Sequence, residues 1–145
     1  MSRNSAKGTR WETAVVTFLN SFWAGQEKLK AYRPAQSGQR DHGDVHGISP
    51  FVGQAKDWKS WEAAIREGLD GAETQRVAAG EDYGVAFVKR ARRTPAQGYA
   101  VMTIATWARV LLRLRRAESA LALLQPGIAT THRRLSLDDL DHKGD

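Results

Sequence analysis

The chain has 145 residues, no cysteine and a formal net charge of +6, with a sequence pI of about 10.0. These values exclude disulfides and thiolate zinc sites, and the length predicts one domain with its own core. No apolar run reaches the length of a membrane span and the N-terminus is polar and basic, so we expect a cytoplasmic protein with no membrane partner. The basic balance favours a polyanionic partner, most often nucleic acid.

The predicted elements begin with a helix over residues 9–24, where apolar residues recur at helical spacing, with Asn4 or Ser5 as N-cap. Three strands are predicted next, over residues 28–36, 44–48 and 51–58. A second helix is predicted over residues 60–80, with Ser60 as N-cap and Gly80 just beyond its end. Gly68 and Gly71 count against this helix, since each costs about 1 kcal/mol relative to Ala.

Two more strands are predicted over residues 83–91 and 99–104, and a last helix over residues 105–124. The order is therefore α-β-β-β-α-β-β-α, and helices on both sides of a central sheet predict a single α/β domain over residues 1–125. Residues 126–145 are predicted to be a loosely attached C-terminal tail.

Four side chains and one main-chain carbonyl are candidates for metal chemistry. Glu12 lies in the apolar sector of the first predicted helix, where a carboxylate needs a partner or a metal ion, unless it is simply a first-turn acid favoured by the helix dipole. Asp44 begins one strand, and Gln54 and Lys56 share a face of the next because they are two residues apart. With the main-chain carbonyl of Ala55, these oxygens suit a hard divalent cation, and Lys56 suits a water or phosphate oxygen. The alternative is that Asp44 and Lys56 are ordinary surface charges.

Four short motifs follow one another along the chain: "GTRWE" (8–12), "RPAQSG" (33–38), "GDVHG" (43–47) and "VGQAK" (52–56). In these motifs and their order the chain resembles the archaeal and bacteriophage Holliday junction resolvases of the PD-(D/E)XK nuclease superfamily. The resemblance covers roughly residues 7–115. It implies a restriction-endonuclease-like three-layer fold with a central mixed sheet of about five strands. It also implies a homodimer and Mg²⁺-dependent cutting of branched DNA such as four-way junctions, with Mn²⁺ able to replace Mg²⁺.

The resemblance also assigns roles to individual residues. It implies that Glu12, Asp44, Gln54 and the Ala55 carbonyl hold the metal, and that Lys56 is the catalytic lysine. Further residues are expected to act on DNA, the first two of them in catalysis as well: Arg33, Ser37, Gln39, Arg40, Lys89, Arg90, Arg92 and Arg93.

Gln54 departs from the superfamily's commonest pattern, which has Glu at this position. An amide oxygen can coordinate a hard cation but brings no charge. Because Mrr-like nucleases of the same superfamily are similar in using Gln-x-Lys, we interpret Gln54 as a tolerated variant. Two alternatives to a junction resolvase stay open: a nuclease of this fold with a restriction or repair target, and a basic DNA-binding protein whose nuclease site has decayed.

Overall fold

A computed structural model describes residues 3–24, 29–35 and 44–124. In chain order its elements are α1 (Arg3–Phe22), β1 (Val45–Ile48), β2 (Phe51–Lys56), α2 (Trp61–Ala79), β3 (Tyr83–Val88), a 3-10 turn (Pro95–Gln97), β4 (Tyr99–Val101) and α3 (Ile104–Leu124). The fold is α/β, with a four-stranded mixed sheet flanked by three helices, as predicted at the level of fold class.

The sheet has the strand order β1-β2-β3-β4. The two outer pairs are antiparallel, whereas β2 and β3 are parallel, from Phe51 beside Tyr83 to Lys56 beside Val88. Parallel neighbours need a crossover connection, and α2 supplies it. The carboxyl ends of β2 and β3 therefore lie side by side, which places the residues that follow Lys56 and Val88 close together.

The two glycines within α2 allow this helix to lie close to the sheet. A Cβ atom at Gly68 would be 3.0 Å from the Cβ of Ala86, and one at Gly71 would be 2.9 Å from Oε1 of Gln54. The predicted ends of the helix are confirmed. The Ser60 side chain accepts a hydrogen bond from the Ala63 amide, and Gly80 ends the helix in the left-handed region at φ 70°.

Hydrophobic clusters lie on the two faces of the sheet. One, beneath α1, consists of Trp11, Val15, Ala31, Val45, Ile48 and Ala55; the other, beneath α2, consists of Ala64, Ala86 and Val88. The indole Nε1 of Trp11 also donates a hydrogen bond of 2.9 Å to the Phe87 carbonyl. This bond and the apolar contacts fix α1 relative to β2 and β3, and so fix the direction of the next residue, Glu12.

The predicted first strand is not formed in its described part, residues 29–35, which makes one antiparallel bridge between Tyr32 and His46. The ladder cannot extend in one direction because Pro34 has no N–H to donate. In the other direction, Gly47 has a φ of +74° and approaches the main chain of Lys30 closely. The described residues therefore give a sheet of four strands and not five.

The predicted cap of the first helix is wrong, because α1 already begins at Arg3 and includes Asn4 and Ser5. The remaining predicted strands and helices are found, with ends that differ by a few residues. Residues 126–145, predicted to be a tail, lie outside the described residues. Among the described helices, none combines the length and the apolar character needed to cross a membrane.

Candidate active site

Glu12 is held by an ion pair. Both Nε and an Nη of Arg33 lie 2.7 Å from Oε2 of Glu12, and the Glu12 side chain is 19% exposed. The half-buried carboxylate of Glu12, which was predicted to need a partner or a metal ion, therefore has a partner in Arg33. Glu12 lies well inside α1, so the alternative of a first-turn acid is excluded.

Asp44 lies just before β1 and is connected directly to β2. Its Oδ2 accepts two hydrogen bonds, one from Nε2 of Gln54 at 2.6 Å and one from the Ala55 amide at 2.7 Å. The Asp44 amide in turn donates to the Gly53 carbonyl at 2.9 Å. Asp44 and Gln54, predicted as two ligands on adjacent strands, are thus in direct contact, and Gln54 donates to the Asp44 carboxylate.

The backbone of β2 directs the Ala55 carbonyl towards Asp44. The N–H and C=O of one strand residue point to the same side, and the Ala55 N–H points to Asp44. The next residue points the other way, since the Lys56 carbonyl accepts from the Lys89 amide on the β3 side. The predicted main-chain ligand therefore lies on the same side of β2 as Asp44.

The side chains of Gln54 and Lys56 leave β2 on the face covered by α2. Gln54 is 5% exposed, and its Oε1 lies against Gly71. The Cγ of Lys56 passes Gly68, and its Nζ lies 5.2 Å from the centroid of the Trp58 ring. A cation over an aromatic face is attracted by the ring quadrupole, so Trp58 helps to hold the ammonium group of Lys56 in place.

These groups surround one cleft with a volume of about 620 Å³. It is lined by residues from α1, from the segment before β1, from the end of β2 and from the loop after it: Lys7, Gly8, Glu12, Asp44, Gln54, Ala55, Lys56, Asp57, Trp58 and Lys59. Five of the residues predicted from the sequence as ligands or catalytic groups thus share one concave surface. Arg33 reaches it through its ion pair with Glu12.

The donor set of the cleft fits Mg²⁺, provided that the Gln54 amide turns. Mg²⁺ binds few protein oxygens and keeps several waters, so Glu12, Asp44 and two neutral oxygens suffice in number. Rotating the terminal amide of Gln54 by about 180° would exchange its nitrogen and oxygen, bringing Oε1 next to Asp44. Among the described residues, no group of three or more His, Asp or Glu side chains is placed to hold a metal ion. Binding in this cleft therefore depends on Gln54 or on main-chain oxygen.

In the predicted basic turn after β3, two residues are held by contacts with neighbouring side chains or main chain, and two are exposed. Lys89 forms an ion pair with Asp57 at 2.9 Å, and Arg90 donates to the Gln97 carbonyl and lies over the Tyr99 ring. Arg92 and Arg93 are exposed. Because Asp57 lines the cleft, the Lys89 ion pair connects the basic turn to the rim of the site. The other predicted DNA contacts, Ser37, Gln39 and Arg40, lie outside the described residues.

Sequence reasoning did not assign a role in the site to Lys7, Asp57, Trp58 or Lys59. The usable signal was position, since Asp57, Trp58 and Lys59 directly follow Lys56 at the carboxyl end of a strand, where sites in α/β folds commonly form. Lys7 could have been found because it is next to Gly8, in the first of the four motifs, and lies about one and a half helical turns before Glu12 in α1. Together with Lys56, two of these residues add positive charge beside three carboxylates.

Comparison of the chain with protein-family models, with curated proteins and with solved structures found no match.

Proposed function

We propose that the chain is a metal-dependent DNA endonuclease with a restriction-endonuclease-like fold, acting on branched DNA, most readily on four-way junctions. The observation that carries the proposal is the convergence of Glu12, Asp44, Gln54, Ala55 and Lys56 on one cleft, from three separate parts of the chain. Acidic oxygens that can hold a divalent cation, beside an ammonium group that can donate to a phosphate, suit phosphodiester hydrolysis. The charge of +6 suits a polyanionic substrate.

Each side chain of the cleft has a distinct part in this proposal. A bound Mg²⁺ supplies Lewis acidity and a more acidic water. Glu12 and Asp44 provide the negative charge that holds the ion, while Gln54 and the Ala55 carbonyl add neutral oxygens. Arg33 orients Glu12 and carries positive charge towards a phosphate.

Lys56 is the group that acts on the reacting atoms. Its ammonium donates hydrogen bonds to the attacking water or to a non-bridging phosphate oxygen, and so offsets the charge that grows on the phosphate. The water gives up a proton to the solvent as its oxygen bonds to phosphorus and the ester P–O bond breaks, and the departing oxygen takes a proton from the solvent. Trp58 keeps Lys56 in position through the contact between its ring and the ammonium group.

A second candidate function has its own support. The Gln54 amide donates to Asp44 at 2.6 Å, and in that orientation its nitrogen, and not its oxygen, faces the carboxylate that would hold the metal ion. A protein in which this hydrogen bond were permanent would bind DNA through its basic residues without cutting it. This is the decayed-nuclease alternative.

Cleavage of a matched set of DNAs tests the proposal. A four-way junction, a Y-fork and a linear duplex of the same sequence are incubated with the protein, with Mg²⁺, with Mn²⁺ and with chelator. We expect the junction to be cut fastest, in either metal, and no cutting in chelator. Equal or faster cutting of the linear duplex would refute the junction preference alone. Binding of all three DNAs with no cutting in either metal would refute the nuclease and favour the second candidate.

A further inference from the structure

Helix α3 has an apolar stripe with no partner among the described residues. Its five apolar residues are spaced by three, four, three and seven positions, which places them along one side of the helix: Ile104, Trp107, Leu111, Leu114 and Leu121. Their exposed fractions are 86%, 56%, 39%, 53% and 45%. An exposed apolar surface of this kind on a small domain commonly marks an interaction site.

The opposite side of α3 is the one that contacts the domain. Thr106, at 3% exposure, is the buried residue of the helix. Arg109 and Arg113, three and seven residues further on, reach β3: Arg109 donates to the Asp82 carbonyl, Arg113 pairs with the Asp82 carboxylate at 2.6 Å, and both lie over the Tyr83 ring. These contacts orient α3 so that the stripe faces away from the sheet.

We propose that the stripe of α3 is the interface with a second copy of this chain, the two α3 helices packing antiparallel about a two-fold axis. The three-four spacing is that of a helix seam that packs against another helix seam. Matching the ends of two antiparallel stripes sets Ile104 opposite Leu121 of the second copy, and Leu111 opposite Leu114. The pairing is isologous, so the same surface serves on both copies.

The size of the stripe agrees with a dimer contact. From Ile104 to Leu121 it is about 25 Å long at the rise of an α-helix. We estimate that it offers on the order of 600 Å² on each copy, at the low end of specific interfaces. Such an area predicts a reversible dimer and not an obligate one.

The charge on the stripe favours the antiparallel arrangement. Glu118 lies within the stripe, between Leu114 and Leu121, and pairs with Arg115 of its own helix. A parallel pairing in register would put the two Glu118 carboxylates opposite each other, which is unfavourable for like charges. The antiparallel arrangement instead puts Glu118 opposite Trp107 of the second copy and separates the carboxylates.

Sedimentation of the full chain over a dilution series tests the interface with two matched variants. Leu112 is exposed to 50%, nearly as much as Leu114, but lies about 200° from it around the helix and outside the stripe. We expect the wild type and Leu112→Glu to dimerise equally. Leu114→Glu should weaken the dimer by at least tenfold. A monomeric wild type would overturn the proposal, and the stripe would then be a contact surface for residues 125–145 or for another protein. Equal dimerisation of the two variants would overturn it as well.

Crosslinking provides a second test that does not depend on a destabilising charge. Because the chain has no cysteine, Leu111→Cys and Leu112→Cys each carry a single thiol. A short bis-maleimide should join two copies of Leu111→Cys, whose thiols lie near the two-fold axis, and should join Leu112→Cys poorly. Comparable yields from both variants, or none from either, would contradict the proposed interface whether or not the cleft cuts DNA.

Discussion

Replacing Gln54 by Glu is the most informative change to the candidate site. The Nε2 of Gln54 donates to Oδ2 of Asp44 at 2.6 Å, and Gln54 is 5% exposed. Gln54→Glu keeps the shape of the side chain but replaces this donor by an oxygen, so that two carboxylates face each other out of water. Without a metal ion the variant should be less stable than the wild type, and with Mg²⁺ the difference should largely disappear.

The size of the effect follows from the hydrogen bond that is lost. A bond to a charged acceptor contributes about 1.5–3 kcal/mol, and the partner left behind is half-buried. We therefore expect Gln54→Glu to lose about 2–3 kcal/mol of stability in chelator, which lowers Tm by about 5–10 °C in a chain of this size. Mg²⁺ at a hundred times the Kd of the variant returns about 2.7 kcal/mol to it. The added carboxylate should make the variant bind the ion more tightly, so at a concentration below the Kd of the wild type this gain is confined to the variant and offsets the loss.

The same change makes stability depend on pH. Two adjacent carboxyls share a proton, so the pKa of one of them in the folded variant is raised above its unfolded value. A raised pKa means that the folded state binds the proton more tightly. In chelator the variant should therefore match the wild type at a pH below the ordinary carboxyl pKa, and should lose stability as the pH rises through the raised one.

Thermal melts of wild type and variant, with chelator and with Mg²⁺, measure both effects. Gln75→Glu is a matched control, because Gln75 is also buried, at 2% exposure, and does not line the cleft. It should be destabilised to the same extent with and without Mg²⁺. If Gln54→Glu melts like the wild type in chelator, or gains nothing from Mg²⁺, Gln54 does not lie where we place the ion.

Three further results are expected. Arg33→Ala should lower stability by about 1–3 kcal/mol, because it leaves the Glu12 carboxylate, at 19% exposure, without its partner, and should slow cleavage on the order of tenfold or more. Thermal melts and single-turnover rates of the folded variant separate the two effects, and a loss of stability with no change in the cleavage rate would make Arg33 structural. Trp58→Ala should free Lys56 and slow cleavage roughly two- to fivefold, a small effect because the contact between the ring and the ammonium group is exposed. Trp58→Phe keeps an aromatic ring and should therefore cleave at nearly the wild-type rate. Equal rates for the two variants would count against a role of the ring in holding Lys56. Junction affinity should fall steeply from about 50 to 200 mM salt as counterions are released, and a flat binding curve would remove the electrostatic argument.

The sequence predicted the helix α2 well because its end signals are local. Ser60 and Gly80 act through hydrogen bonds and backbone angles within a few residues, so they can be recognised without the rest of the fold. Gly68 and Gly71 counted against the helix for a reason that is not local. They leave space for Ala86 and for the Gln54 side chain, which come from neighbouring strands.

The segment before β1 could not be predicted in the same way. Residues 28–36 contain alternating residues typical of a strand, yet the side chain of Asn20 hydrogen-bonds to both main-chain groups of Ala31, at 2.8 and 3.0 Å. That contact, and the conformation of Gly47, come from distant parts of the chain. The hydrogen bond from Gln54 to Asp44 is of the same kind: the pattern named both residues, but not that the amide nitrogen faces the carboxylate.

The central claim is that Asp44 holds a metal ion that the cleavage of DNA requires. Cleavage and binding of one four-way junction, measured in parallel for wild type and Asp44→Asn in Mg²⁺, test it most directly. Asp44→Asn keeps the size of the side chain and removes one negative charge, so binding should be unchanged or tighter. We predict that it abolishes cleavage while the wild type cuts the junction. Wild-type rates in Asp44→Asn would contradict the account, because the metal would then lie elsewhere.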